Sequence, residues 1–225
     1  MAGGLLPLGS ITVGLALLIY ATRSSLGTET GFIILGTAAL VLAVVVRQIV
    51  VLHENGRLRA IGATHDSLTG LANRALFRDR VEQALEAARR EGARTAVILL
   101  DVDDFQLINH SLGPAAGDEL LAQVARRLES VVPPAGTAAR LGDDEFGVLI
   151  ADAAGGHQAS LVGRRIIGLF EQAFILDSEE VRATSSAGLV VAGGDHLGAD
   201  DVLHHADQAL RSAKAHGKNR LEVFE

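Results

Sequence analysis

The chain has no cysteine and no tryptophan, and aromatic residues fill only 4% of its 225 positions. Without cysteine there is no disulfide framework and no thiolate metal site, which leaves carboxylates as the only rich source of metal ligands. Charge is almost missing from the first quarter, where Arg23 and Glu29 are the only charged residues before Arg47. A basic excess is missing too. The formal net charge of -7 argues against a general nucleic-acid binder, although metal ions can still bridge acidic residues to nucleotide phosphates. No internal repeat or low-complexity stretch is present.

What the first quarter does contain is two long apolar runs. Residues 2–22 carry no charge, and neither do residues 31–46, a run that resumes at Ile49 after Arg47 and Gln48. About 20 apolar residues span a bilayer core, and Arg47 can snorkel from a helix end. Tyr20 sits where an amphipathic ring belongs. The chain start lacks the basic n-region of a signal peptide. Residues 1–52 are therefore expected to form a membrane segment of two transmembrane helices. Arg47, His53, Arg57 and Arg59 lie beyond the second span, which places that side and the rest of the chain in the cytoplasm of a multi-pass inner (plasma) membrane protein. Gly14, Gly36, Ala38 and Ala39 are small enough for close helix pairing. Residues 53–64 are expected to be a linker helix, weakened by Gly56 and Gly62.

From residue 65 the pattern alternates between helix and strand. Asn73 is placed to cap a helix over about 75–91 that buries Phe77, Val81 and Leu85. A buried strand over 94–100 is followed by a helix over about 117–131 that Pro133 and Pro134 stop. Strands over 137–141 and 145–150 are expected to pair across a two-residue type II′ turn at Gly142-Asp143. A helix over 158–173, a strand over 181–191, a helix over 199–216 and a strand over 221–224 complete an α/β (α+β) sheet covered by helices. Two of the strands end in acids: Asp101-Val102-Asp103-Asp104 and Asp143-Asp144-Glu145. Carboxylates so placed hold magnesium while substrate phosphates complete its shell. Asp103 and Asp104 are expected to be helix N-caps or solvated acids. Asp66 and Asn73 are expected to hold the opening turn. His204, His205 and His216 are expected to be surface residues, because adjacent helical histidines point to different faces.

Four separated motifs then carry a resemblance. They are Asp66-Ser-Leu-Thr-Gly-Leu-Ala-Asn-Arg74; Asp101-Val-Asp-Asp-Phe105 with Asn109 and Gly117-Asp118; Arg140-Leu-Gly-Asp-Asp-Glu-Phe146; and Ala206-Asp207 through Lys214 to Gly217-Lys218-Asn219. In this order they resemble the GGDEF domain, the diguanylate cyclase family, over residues 65–225. The resemblance implies a nucleotidyl-cyclase-like central sheet with flanking helices. It also implies condensation of two GTP into cyclic di-GMP and pyrophosphate by a homodimer that meets through this domain and the membrane helices. Asp101 and Asp144 would be the carboxylates for Mg2+ or Mn2+, with the Val102 carbonyl as a further ligand. Glu145 would bind metal or activate the 3′-hydroxyl, making Asp144 and Glu145 the catalytic acids. Asn109 and Asp118 would read guanine, Gly142 would adjoin the substrate, and Lys214 and Lys218 would hold phosphate.

Some positions depart from that family. Asp143 stands for the second hairpin glycine, Gln106 for a lysine, Pro114 for a histidine and Lys218 for an arginine. The inhibitory product site reads Pro133-Pro134-Ala135-Gly136, so feedback inhibition there is not expected. The ending from Gly217 to Phe224 is similar to the point where many members run on into a phosphodiesterase (EAL) domain. A second function therefore stands beside the first: a catalytically silent GTP-binding and dimerisation module regulating a partner or a phosphodiesterase domain.

Overall fold

A computed structural model of the chain describes residues 42, 45–47, 64–151, 156–193 and 197–224. The expected membrane spans and linker helix fall almost wholly outside these residues. Among the described residues, no helix is long and apolar enough to cross a membrane.

Helix α1 (Arg74–Glu91) starts where the Asn73 side chain accepts the Leu76 N–H at 3.0 Å, and it ends at Gly92 with φ 67°. Strand β1 (Thr95–Val102) follows, then α2 (Phe105–Leu112) and α3 (Pro114–Val131). Next come β2 (Thr137–Arg140), β3 (Glu145–Ile150), α4 (Gly156–Gly168), β4 (Phe174–Leu176) and β5 (Glu179–Val181). Strand β6 (Ser185–Ala192), helix α5 (Ala199–Ala215) and strand β7 (Leu221–Val223) complete the order. The main sheet runs β2-β3-β1-β6-β7. It is antiparallel except between β6 and β7, which run parallel.

Strand β1 lies at the centre and is apolar on both faces. Ile98, Leu100 and Val102 pack with Leu120, Leu128 and Ile166 of α3 and α4. Val97 and Leu99 pack with Phe77, Val81, Val202 and Leu210 of α1 and α5. Burying each such side chain contributes roughly 1.5–3 kcal/mol. A one-residue slip would exchange the two sets, so the register is firmly held. Asp101 continues the parity of Val97 and Leu99, which brings it under α5.

Four sequence expectations are revised. Helix α2 is additional, and α3 begins at Pro114 rather than near Gly117, because proline at a first helical position has no N–H to lose. Helix α4 stops at Gly168 instead of near 173. Arg127 explains the early stop: its guanidinium donates to the Leu169, Gln172 and Ala173 carbonyls, each at 2.7 Å, and lies 3.8 Å over the Phe174 ring. The strand expected over 181–191 is divided. A small β4–β5 hairpin turns at Asp177 and Ser178, both left-handed (φ 48° and 74°), and β6 starts only at Ser185.

The acidic hairpin also lacks its expected two-residue turn. The Leu141 N–H donates to the Glu145 carbonyl at 2.8 Å, leaving three residues in the loop, and Gly142 does not take the positive φ that type II′ requires. The Val102 N–H draws the Asp144 carbonyl toward β1 at 3.1 Å, while Arg140 donates to the Gly142 and Asp143 carbonyls at 3.1 and 2.9 Å. Those bonds replace the tight turn.

Helix α5 sits directly on β6 at Gly188, where a Cβ would stand 2.2 Å from both the Ala206 carbonyl oxygen and the Leu210 nitrogen. Backbone cannot yield as a side chain does. Gly188→Ala is expected to cost about 1–3 kcal/mol and to lower Tm by roughly 3–10 °C in a circular-dichroism melt. An unchanged Tm would contradict this packing.

Candidate active site

The end of β1, the start of α2 and the last turn of α5 enclose a cavity of about 650 Å3, lined by Asp101, Val102, Asp104, Asp144, Lys214 and Lys218 among others. Asp104 precedes α2 in the left-handed region (φ 56°) and makes no side-chain cap bond. The amino end of α2 therefore faces the cavity without a capping side chain, an arrangement that favours anions. Lys214 Nζ lies 2.7 Å from Asp101 Oδ2, and Lys218 Nζ lies 2.7 Å from Asp104 Oδ1. Burial pushes the Asp101 carboxyl above its ordinary range. Lys214 opposes that rise, and the neighbouring Asp144 and Asp103 add to it.

A smaller pocket of about 260 Å3 opens alongside, with Asn109, Pro114, Asp118, Arg140 and Asp143 in its wall. Phe105, Gln106 and Asp144 line both spaces. Asn109 Oδ1 is buried without a hydrogen-bond partner. It stands against Gly117, where a Cβ would fall 1.8 Å away. An unmade buried acceptor costs about 1–3 kcal/mol, and a ligand N–H would remove that cost. Pocket and cavity together suit a base joined to a phosphate chain.

The structure thus brings together Asp101, Val102, Asp144, Lys214, Lys218, Asn109 and Asp118, with Gly142 on the adjoining loop. It does not bring Glu145. Its carboxylate accepts from Arg74 at 2.7 Å and lines a separate cavity of about 320 Å3 with Leu203, His204 and Asp207. Glu145 does pair in register with Asp101 across β3 and β1, and Arg74, fixed on the Leu141 carbonyl at 2.8 Å, holds its carboxylate. His205 stacks on Phe224 with centroids 4.2 Å apart. Among the described residues, no three histidine, aspartate or glutamate side chains form a metal-holding group.

Asp103 departs from its expected role as a cap or solvated acid. It is buried and accepts from the Thr184 and Ser186 hydroxyls, each at 2.7 Å, and from the Asn219 N–H at 3.2 Å. It therefore ties β1 to the segment leading into β6 and to the left-handed turn at Gly217–Asn219, which presents Lys218. The facing hydroxyls of Thr184 and Ser186 were the available sequence signal. Asp66 behaves as expected. Burial works to raise its carboxyl, but the Thr69 hydroxyl and N–H and the Arg140 guanidinium outweigh it and hold the group below its ordinary range.

Two hard carboxylates beside paired lysines fit a divalent cation that takes its remaining ligands from water and phosphate. Comparison with known proteins identifies the family of the domain. The family described as "Diguanylate cyclase, GGDEF domain" matches residues 63–220. The bifunctional diguanylate cyclase/cyclic di-GMP phosphodiesterase MucR of Pseudomonas aeruginosa is 31% identical over 100% of this chain and 34% of its own length. The cyclic di-GMP phosphodiesterase NbdA of the same organism is 37% identical over 76% of this chain and 22% of its own. The chain thus spans about a third or less of these curated relatives. The coiled coil and GGDEF domain of DgcB from Caulobacter crescentus, solved with c-di-GMP, superposes with a TM-score of 0.74 at 26% identity, covering 83% of this chain and 99% of that one.

Two predictions follow from the electrostatics. A carboxyl held above its unfolded-state value destabilises the fold once ionised; the penalty is absent below the unfolded value and grows as pH rises through the folded one. Asp101→Asn is accordingly expected to raise Tm at about pH 7 and to lose that advantage at about pH 3. A lower Tm than wild type at neutral pH would contradict the burial cost. Asp103→Ala strands two hydroxyls and an N–H and is expected to cost about 2–4 kcal/mol in denaturant unfolding.

Proposed function

Because this chain belongs to the GGDEF family of diguanylate cyclase domains, we propose that it is a membrane-anchored diguanylate cyclase. Two copies would condense two GTP into cyclic di-GMP and pyrophosphate. The observation that carries this reading is a small pocket lined by Asn109 and Asp118, with Asn109 Oδ1 buried unpartnered against Gly117, beside the cavity of Asp101, Asp144, Lys214 and Lys218. Anchoring, with the domain in the cytoplasm, rests on the two apolar runs and on the basic residues after them.

Asn109 is suited to bond one edge of guanine, and Asp118 to accept from its N1–H and N2–H. The triphosphate then lies along the amino end of α2 toward Lys214 and Lys218. Asp101, the Val102 carbonyl and Asp144 would hold Mg2+ or Mn2+, which when bound neutralises phosphate charge and acidifies a nearby hydroxyl. Each 3′-oxygen attacks the α-phosphorus of the nucleotide on the other copy, a P–O bond forms, and pyrophosphate leaves with the cleaved bond's electrons. Asp144, at the hairpin tip beside both spaces, is the acid placed to take the hydroxyl proton. Glu145, held by Arg74, is instead assigned to fixing the hairpin. One base pocket and one phosphate cavity per chain require a second copy.

One observation favours the silent-module reading. Asp143 adds an exposed carboxylate to the base pocket, while Gln106 offers the phosphate cavity no charge. The similarity to NbdA, named only as a phosphodiesterase, agrees with it. Incubating the full chain with GTP and Mg2+ and resolving nucleotides by chromatography separates the two readings. Cyclic di-GMP supports the cyclase. GTP binding without product, even at high protein concentration, supports the module. If the chain is active, Asp101→Ala should reduce turnover by about 10²- to 10³-fold, and Asp143→Gly should raise it.

A further inference from the structure

Neither lysine of the phosphate cavity waits unpaired for its anion. Lys214 lies on Asp101, and Lys218 on Asp104. The two pairs differ in setting. The Asp101 side chain is 15% exposed and that of Asp104 is 63% exposed. Water screens the second pair strongly, as it does most surface ion pairs, so that pair contributes little. The first is sheltered, and its carboxylate belongs to the proposed metal site.

We propose that Lys214 is a resident counterion on Asp101, holding the place of a divalent cation and passing to a substrate phosphate when metal and nucleotide arrive together. The proposal rests on the reading of Asp101 as a metal carboxylate in a nucleoside-triphosphate site. An ammonium 2.7 Å from Asp101 Oδ2 and a dication on the same carboxylate repel each other strongly at such separations. Metal arriving alone must displace Lys214 while no anion is present to receive it. Nucleotide arriving alone must draw Lys214 away and leave a largely buried carboxylate uncompensated beside Asp103 and Asp144. When both arrive, the lysine exchanges one anion for another and no charge is stranded. Metal and nucleotide therefore bind with positive coupling, and Lys214 adds to the coupling that direct phosphate–metal ligation supplies.

The experiment uses the purified full chain with Mn2+ as the probe, free Mn2+ being followed by electron paramagnetic resonance. Titrations are run with and without a GTP analogue carrying a methylene between the α- and β-phosphorus. In the wild type, saturating analogue should tighten Mn2+ binding about 5- to 150-fold. Lys214→Met should tighten Mn2+ binding without nucleotide by about 3- to 30-fold, weaken the analogue without metal, and lower the coupling to the part that direct ligation of metal by phosphate supplies. Lys214→Arg, which keeps the charge, should restore weak Mn2+ binding, and Lys218→Met should change it less than Lys214→Met does. If Lys214→Met leaves Mn2+ affinity unchanged or lower while the wild type binds Mn2+ with the analogue, the counterion role is overturned and the metal site stands. If the wild type takes up no Mn2+ even with saturating analogue, the metal reading of Asp101 fails, and the proposal fails with it.

Discussion

The interaction on which the site depends is the burial of Asp101 at the carboxyl end of β1. Four acidic or acid-flanking positions close a strand that is apolar on both faces. The register of β1 between β3 and β6 leaves the Asp101 side chain largely sheltered, reaching solvent only through the cavity. Its side chain, 15% exposed, needs a cationic partner and meets the ammonium of Lys214. Hydrophobic packing several residues upstream thus fixes an electrostatic demand at the strand end. The lysine on α5 is placed by the close seating of that helix on β6 at Gly188. Removing either the strand register or the helix contact would leave a carboxylate without its partner.

Around this pair, polar contacts position the loops rather than the reacting groups. Arg140 reaches from β2 to Asp66 in the opening turn and to two carbonyls of the hairpin loop. Arg74, in the first turn of α1, holds Glu145 and the Leu141 carbonyl. Asp103 joins β1, the start of β6 and the turn at Gly217–Asn219. The hairpin that carries Asp144 is therefore braced from the segment that opens the domain, and the turn that carries Lys218 from the strand that carries Asp101. The contacts of Asp103 and of Arg140 with Asp66 are sheltered, and their loss leaves unpaired groups behind.

How legible all this was in the sequence depended on the kind of signal. Helices α1, α3 and α5 and strands β1 and β3 announce themselves by strong periodicity, and Asn73 caps α1 as its position suggests. The boundary between α4 and β6 does not, because a guanidinium from a distant helix, Arg127, decides where α4 stops. Two left-handed residues other than glycine, Asp177 and Ser178, make the hairpin after it. Motif spacing places Asp101, Asn109, Asp118, Asp144, Lys214 and Lys218 around adjoining spaces, since each sits on or beside an element that the core positions. The orientation of Glu145 was not readable, because it depends on Arg74, 71 residues earlier. Nor was the burial of Asp103, because nothing local says which of the two acids that follow β1, Asp103 or Asp104, turns inward.

The departures at Asp143 and Gln106 act on one quantity, the charge an incoming nucleotide meets. The adjoining spaces hold Asp101, Asp103, Asp104, Asp118, Asp143 and Asp144 against the ammonium groups of Lys214 and Lys218. Arg140 does not relieve this excess at Asp143, since its donors go to Asp66 and to the Gly142 and Asp143 carbonyls. A glycine at 143 and a lysine at 106 would each make the site less negative. At 4 Å a unit charge pair is worth about 1 kcal/mol in water and about 4 kcal/mol near a protein surface, so two such changes bear on binding by a factor well above ten. With neither present, an anionic triphosphate enters favourably only with its own cations. On the proposed reading, a bound metal would supply a share of the phosphate neutralisation that side chains would otherwise give.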